Sequence, residues 1–572
     1  MHIPAIKQAA AAEGFRQYLV DLLVEICRLD TTIQPDVPRL RDAEGKVYDV
    51  LERELKTYAI PGGAARRAPI DPKIADHPYF SQLYYTRSEK HPEGLSVKDT
   101  YAGRCNLLFA ADGDGKRNGG VNLAINGHID VVAPYFPPRV EDGRVFGRGS
   151  CDDKGNVVAL MGALKLVGEY LKSTGQKLNR HFTGMFVIEE EMGGNGSLSA
   201  ALDRELKKRY DSLVVLEICE NKLFPGNRGC VWYKVEGKLP GVNLFEAAAF
   251  IIEQLEKEGR SIRSESDHPL FPHRPVQTCH GMIGHSGEHP SRINGDVSFD
   301  ISFAGGEPAK ARKTIEDVIA FALAEYTGVY GDKTKINDKT TGKPKVDHHF
   351  DLAEAPHGFT VRVFGATGHM GSIFENDGAI TKMMTMVRSL LRSRAALERK
   401  AGAKVRFEHH GWKDPSHLVL EGGQGFLPTH EMTDVQARVR AAAARGADEY
   451  FRLLEAHGLQ SVGVRGADVL RVTFDKLHNA AFAGRADSAE MRNAIEAAKE
   501  AGMWRDEPVR GWDVSCDARI FAGEYPDMNV LTTGPGSLLF AHSDREHIEI
   551  DDMRRAAEFL AYYILKHTGT ID

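Results

Sequence analysis

Apolar residues first recur at helical spacing over 15–29, where Leu19, Leu22, Leu23 and Ile26 fall on one face, and this predicts an amphipathic helix packed on a core. A Pro- and His-rich stretch over 62–94 shows no period and reads as loop. NLLFA and VNLAING then flank ADGDGKRNGG, whose Asp-Gly pairs supply positive-φ positions, so a hairpin is expected there. A helix over 156–171, the strand FTGMFVI, a helix over 198–208 and the strand SLVVLEI follow. Continuous apolar strands alternating with helices predict an α/β domain whose mixed, mainly parallel sheet is flanked by helices.

From about residue 229 the pattern changes to two runs of strand, helix, two strands, helix, strand, the order of a ferredoxin-like unit. The first run is VWYKVEGK, a helix over 243–257, QTCHGMIG, GDVSFDISF, a helix over 308–326, and HHFDLAE. The second is FTVRVFGA, a helix over 379–392, HLVLEGG, TDVQARVR as a strand, a helix over 442–457, and VLRVTFDKL. Gly287 to Pro290 and Gly425 to Pro428 precede Asp296-Val297 and Asp434-Val435 at one shared interval. After about residue 483 the chain returns to a long helix, 489–501, and short strands. The expectation is one domain, 1–228 with 483–572, interrupted by an inserted α+β domain, 229–482, made of two consecutive related units, 229–356 and 357–482.

The chain has 572 residues, 42% hydrophobic and 27% charged, a globular composition with room for two to four domains. With 73 basic against 80 acidic side chains and no basic stripe, nucleic acid is excluded as a partner. Neither a membrane-length apolar run nor a signal-peptide pattern is present, which predicts a cytoplasmic protein with no membrane partner. Seven scattered cysteines without a C-x-x-C pair point to reduced thiols rather than a thiolate metal site. The 23 histidines pose the sharper question of which few stand beside carboxylates.

Four segments answer it, each at the end of an expected strand or the start of a helix. In NGHID, His128 and Asp130 point the same way, so that the carboxylate can hold the imidazole's second nitrogen, though a surface histidine would look the same. In FGRGSCDDKGN, Asp152 and Asp153 precede a helix, where acids also serve as ordinary dipole caps. In VIEEEMGGNG, Glu189, Glu190 and Glu191 follow an apolar strand and crowd one another unless a cation is near. In GPGSLLFAHSDREH, His542 stands among further acids. No G-x-S-x-G elbow is present, and the acid beside Cys151 discourages its thiolate.

The ordered series H-x-D, D-D-K-G, E-E, a glutamate ending an apolar strand (Glu217) and a late A-H-S-D-x-E-H resembles the aminoacylase, carboxypeptidase G, dipeptidase V and carnosinase group of two-metal amidohydrolases. The resemblance implies that Asp152 bridges two metal ions, with His128 and Glu217 on one and Glu191 and His542 on the other, and that the Asp152-Asp153 peptide is cis. It makes Glu190 the general base and places Asp130 in the catalytic set. Carboxylate and imidazole donors suit zinc, and also manganese or cobalt. Two such ions, ~3.5–4 Å apart, can hold a hydroxide and polarise an acyl oxygen. The implied reaction is hydrolysis of an amide in a small carboxylate-bearing substrate, a dipeptide or an N-acyl amino acid. The alternative is a metal-binding scaffold or partner-binding protein without hydrolytic activity.

In that group the inserted domain is a lid. Its histidine, which stabilises the oxyanion, matches His369 in GATGHMGS, and its carboxylate-binding arginine matches Arg440 in VQARVR, with Arg438 as the alternative. The first unit has neither: Glu236-Gly237-Lys238 runs into Leu239-Pro240, and Ser302 stands where the arginine would be. This predicts a monomer in which the first unit mimics a partner's lid, the organisation of dipeptidase V; the alternative is a homodimer joined through both units. Glu217 pulls toward carboxypeptidase or deacylase activity against this dipeptidase-like lid. Asp517 and Arg519 in SCDARIF also resemble a segment near the site, without an assigned role.

Overall fold

Three apolar strands organise the first unit. Leu123–His128, Phe182–Val187 and Ser212–Leu216 are buried along their whole length. They run parallel with Leu123–His128 in the middle, the arrangement expected of strands covered on both faces. The computed structural model describes residues 3–571 except 116–117, 291, 339–340, 371–376 and 477, and of His369 only the backbone. Two compact units divide the chain: Met1–Gly229 with His268–Pro272 and Lys476–Asp572, and Cys230–Asp267 with His273–Asp475.

In the first unit Asn529–Thr533 extends the sheet in parallel beside Ser212–Leu216, and Cys105–Ala111 and Gly63–Pro69 extend it antiparallel on the other side. The expected hairpin of NLLFA with VNLAING does not form, because Phe182–Val187 lies between these strands. A central strand buried on both faces takes neighbours on both edges, and the glycine-rich link crosses over instead. Gly63–Pro69 likewise makes a strand of part of the stretch read as loop. Helices Lys154–Thr174 and Ile550–Thr568 pack on each other and on the central strand, joined by Glu13–Cys27. Ile550–Thr568 was hidden in the sequence because its EFLAYYIL segment is buried nearly all round, so its apolar run has no helical stripe.

The second unit contains two ferredoxin-like sheets, but nested rather than consecutive. The ferredoxin-like path of the outer, five-stranded one takes Gly229–Lys238, Thr278–Ile283, His417–Phe426 and Leu470–Thr473, in the spatial order second, third, first, fourth. The inner one takes Asp296–Phe303, Phe350–Ala355, Gly358–Phe364 and Val405–His409 in that same order. Each sheet therefore draws strands from both sides of the expected division at 356/357. TDVQARVR is not a strand: it opens the helix Met432–Ala456, which buries Val435, Val439, Ala442, Ala443 and Gly446. Val435 and Val439 are four apart, a spacing that fits both periods, and the alanines that follow decide for helix. His369 consequently belongs to the inner unit and Arg440 to the outer, so neither unit carries both.

Where the inner unit joins the outer, His409 is buried, with its ring edge-on to Phe245 and His285. Burial, and then the neighbouring His285, hold its imidazole down at about 4. In the unfolded chain the ring binds a proton near its ordinary pKa, so stability is present above that value and is lost as pH falls from about 6.5 to 4, by up to about 3 kcal/mol. The urea midpoint, followed between pH 7 and pH 4, is expected to fall less steeply in His409→Phe than in the parent; equal slopes would count against this account.

Candidate metal centre

The parallel strands of the first unit end together, and each end carries an acid or an imidazole, at the strand edge where open α/β sheets bind ligands. His128 ends Leu123–His128, Glu189 to Glu191 follow Phe182–Val187, and Glu217 follows Ser212–Leu216. Asp152 and Asp153 come from the loop before Lys154–Thr174, and His542 from the loop after Asn529–Thr533.

Asp152 stands between two imidazoles. Its Oδ1 lies 3.2 Å from Nε2 of His128 and its Oδ2 3.1 Å from Nε2 of His542, a nitrogen that is also 3.2 Å from Oε1 of Glu191. Among the described residues two donor groups emerge, each with its atoms within 4.8 Å of one another: His128, Asp152, Asp153 and Glu217, and Asp152, Glu191 and His542. Asp152 is common to both. All five expected ligands fall in these groups, and Asp153 is an additional member. The Asp152-Asp153 peptide is cis. Asp153 occupies the N-cap position of Lys154–Thr174 without a side-chain cap bond; its Oδ2 instead accepts the backbone N–H of His128 at 3.2 Å. Glu190 belongs to neither donor group, and its Oε2 lies 3.9 Å from Nε2 of His128.

The electrostatics fit divalent cations. Burial raises the carboxyl of Glu190 well above its ordinary value, with Asp517 adding to it, and burial followed by Glu190 and Asp152 does the same to Glu217. Burial also works to raise Asp152, but the imidazoles of His128 and His542 hold it well below the usual carboxylate range. His128 Nε2 and Asp153 Oδ1 are among the described buried polar atoms that no partner meets in good hydrogen-bond geometry. Oxygen and imidazole donors crowded in this way suit zinc, manganese or cobalt. Burial, then Glu546 and Asp152, push the adjacent Cys151 thiol well up, so it supplies no thiolate.

The surrounding groups hold the acids in place. The Asp130 carboxylate lies 3.4 Å from Nδ1 of His128 and accepts the backbone N–H groups of Glu190 at 3.1 Å and Glu191 at 3.0 Å. Gly193 and Gly194 take φ of +102° and +83°, and a Cβ on either would meet Ser81 Oγ at 2.0 Å or Asp517 Oδ1 at 2.1 Å. Arg519 donates to the Gly193 carbonyl at 2.7 Å. Glu189, in the left-handed region, is tied to buried Arg104 and Tyr101, and Arg104 to Glu44. Lys154 donates to the carbonyls of Ile26 and Leu29, which anchors the Asp152 loop to the end of Glu13–Cys27. Glu546 accepts three backbone N–H groups of the Asp152 loop. Sequence reasoning passed over Asp153, Lys154, Glu189 and Glu546 as site residues although all four lie inside the motifs it quoted, because a motif does not show which of its polar residues turn inward.

In the second unit the backbone of His369 pairs with Arg292, and its side chain lies outside the described residues. Arg440 is exposed on Met432–Ala456, stacked over Phe474 with 4.7 Å from guanidinium carbon to ring centre. Arg438 is bound to Glu258 and Glu265.

A model of peptidase family M20/M25/M40 matches residues 124–566. The chain is similar to a peptidase M20 domain-containing protein of Schizosaccharomyces pombe, 33% identical over 107 residues, which are 19% of this chain and 25% of that one. It thus spans about a quarter of that curated relative. Its fold is similar to that of the dipeptidase Dug1p of Saccharomyces cerevisiae, TM-score 0.54 at 13% identity over 99% and 98% of the chains. Human carnosine dipeptidase 1 gives a TM-score of 0.53 at 13% identity over 99% of both. No helix among the described residues is long and apolar enough to cross a membrane.

A shared donor predicts an asymmetry between variants. Elemental analysis of the purified chain is expected to find about two divalent ions, His542→Ala is expected to lose one, and Asp152→Asn to lose both. An Asp152→Asn protein that keeps its full metal content would exclude the shared role.

Proposed function

The chain belongs to peptidase family M20/M25/M40, and from that premise we propose that it hydrolyses the amide bond of small carboxylate-bearing substrates, dipeptides or N-acyl amino acids. The observation that carries this reading is Asp152 shared between two donor groups with Glu190 beside them and in neither. His128, Asp152 and Glu217 would hold one ion, zinc or else manganese or cobalt, and Asp152, Glu191 and His542 the second. When bound, such ions polarise the acyl oxygen and acidify the attacking water.

Glu190 takes the proton from that water and delivers it to the leaving nitrogen. Asp130, by capping the backbone of Glu190 and Glu191, fixes base and ligand relative to His128. In the lid, His369 donates to the oxyanion, the kind of contact worth ~10²–10³ in turnover. Arg440 takes the substrate carboxylate: among the described residues it holds no acid, whereas Arg438 is already committed to Glu258 and Glu265.

Glu190→Gln is expected to keep its metal and lose ~10²–10⁴ in kcat on a panel of dipeptides and N-acyl amino acids. Full activity of that variant would refute Glu190 as the base, and an inactive parent would refute the reaction. Arg440→Ala is expected to lower kcat/KM ~10–100-fold on substrates with a free carboxylate and to leave their C-terminal amides unaffected. An equal loss on both would remove Arg440 from carboxylate recognition.

A further inference from the structure

The loop that supplies His542 also carries Glu546, four residues on, and Glu546 is fully buried. One oxygen of its carboxylate, Oε1, accepts the backbone N–H groups of Gly149 at 3.0 Å, Cys151 at 3.1 Å and Asp152 itself at 3.1 Å. The other, Oε2, lies 2.5 Å from Nη1 of buried Arg148. The backbone carbonyl of Glu546 accepts a fourth N–H from the same loop, that of Gly147, at 3.2 Å. Successive N–H groups converging on one anion form a concave anion site, and here the anion is the protein's own side chain. Arg148, whose Nε also donates to Pro134 at 3.1 Å, fixes the far end of that carboxylate.

Asp152 is the member common to both donor groups. A displacement of its backbone therefore disturbs both at once, and Glu546 bonds directly to its N–H. The same clamp ties the Asp152 loop to the loop bearing His542, and so sets the two ligands of the second group relative to each other.

We propose that Glu546 is the positioning residue for the shared ligand Asp152, acting as acceptor for the three N–H groups rather than as half of a structural ion pair. This rests on the two donor groups being the metal centre. An ion-pair role and an acceptor role separate when both charges are removed together. Arg148→Met/Glu546→Gln leaves an amide oxygen for the N–H groups, whereas Arg148→Met/Glu546→Met, similar in volume, leaves none.

The measurement is Co(II) titration of the metal-free full-length protein, read by affinity and by the visible absorption of the bound ion, with thermal unfolding of each apoprotein as the control. The glutamine pair is expected to bind Co(II) within about threefold of the parent and with its spectrum, and the methionine pair to bind ~10–100-fold more weakly with an altered spectrum. Equal affinity and equal spectra in the two folded variants would overturn the proposal. If the methionine pair does not fold, Glu546→Gln alone decides. Arg148 then draws the amide oxygen, the N–H groups face an NH₂, and affinity falls by the same factor; unchanged affinity overturns the proposal there too. A parent that takes up no Co(II) overturns the metal centre itself, an outcome distinct from either.

Discussion

The interaction on which the first unit depends is the mutual repulsion of carboxylates gathered where three buried strands end. Asp152, Asp153, Glu190, Glu191 and Glu217 face one another with two imidazoles among them. Burial and neighbouring acids push the Glu190, Glu191 and Glu217 carboxyls above their ordinary range, so that a crowded cluster of this kind is stable as a set of anions only with cations in its midst. A fold gains nothing by assembling such a cluster for its own stability, and the cost of holding it is visible in how much of the unit's polar structure is devoted to fixing it.

That structure is almost all backbone capture. Asp130 takes the N–H groups of Glu190 and Glu191, Asp153 that of His128, and Glu546 those of Gly149, Cys151 and Asp152. Each acid thus satisfies main-chain donors that strand ends and tight loops would otherwise leave buried and unpaired. Permanent cations stand one step further out: Arg104 between Glu44 and Glu189, Arg148 on Glu546, Arg519 on the Gly193 carbonyl. The order is cluster side chain, backbone, then charge, and it lets the clustered side chains be placed by rigid main chain rather than by their own rotamers.

How much of this could be read beforehand follows the range of the interactions. His128, Asp152, Glu191, Glu217 and His542 were legible because the ends of apolar strands carry them and their order matched a known series. Parallel strands were legible from continuous apolar runs. Which strands neighbour which was not, since Phe182–Val187 inserts between two strands joined by a turn-like sequence, and only tertiary pairing decides that. Glu546 was quoted inside a motif without a role, because its partners are nearly 400 residues earlier in the chain. Arg440 was assigned to a strand because a four-residue valine spacing satisfies two periods at once.

The nested insert shows the same limit, and its geometry explains why nesting is cheap. In the outer sheet the second and third strands are antiparallel neighbours, with Ile283 opposite Leu420, so the chain leaves and returns at adjacent points, where a hairpin turn would suffice. In the inner sheet the first and fourth strands are antiparallel neighbours, with Phe299 opposite His409, so that unit begins and ends at adjacent points as well. A unit with close termini can replace a turn without stretching either sheet. The seam is then filled by aromatic packing from both sides: His285, from just past the outer strand, stands edge-on to His409 at the end of the inner one and stacks on Trp412 at 5.7 Å. Counting elements along the chain finds both ferredoxin-like units, but only pairing shows that the cut between them falls at two places rather than one.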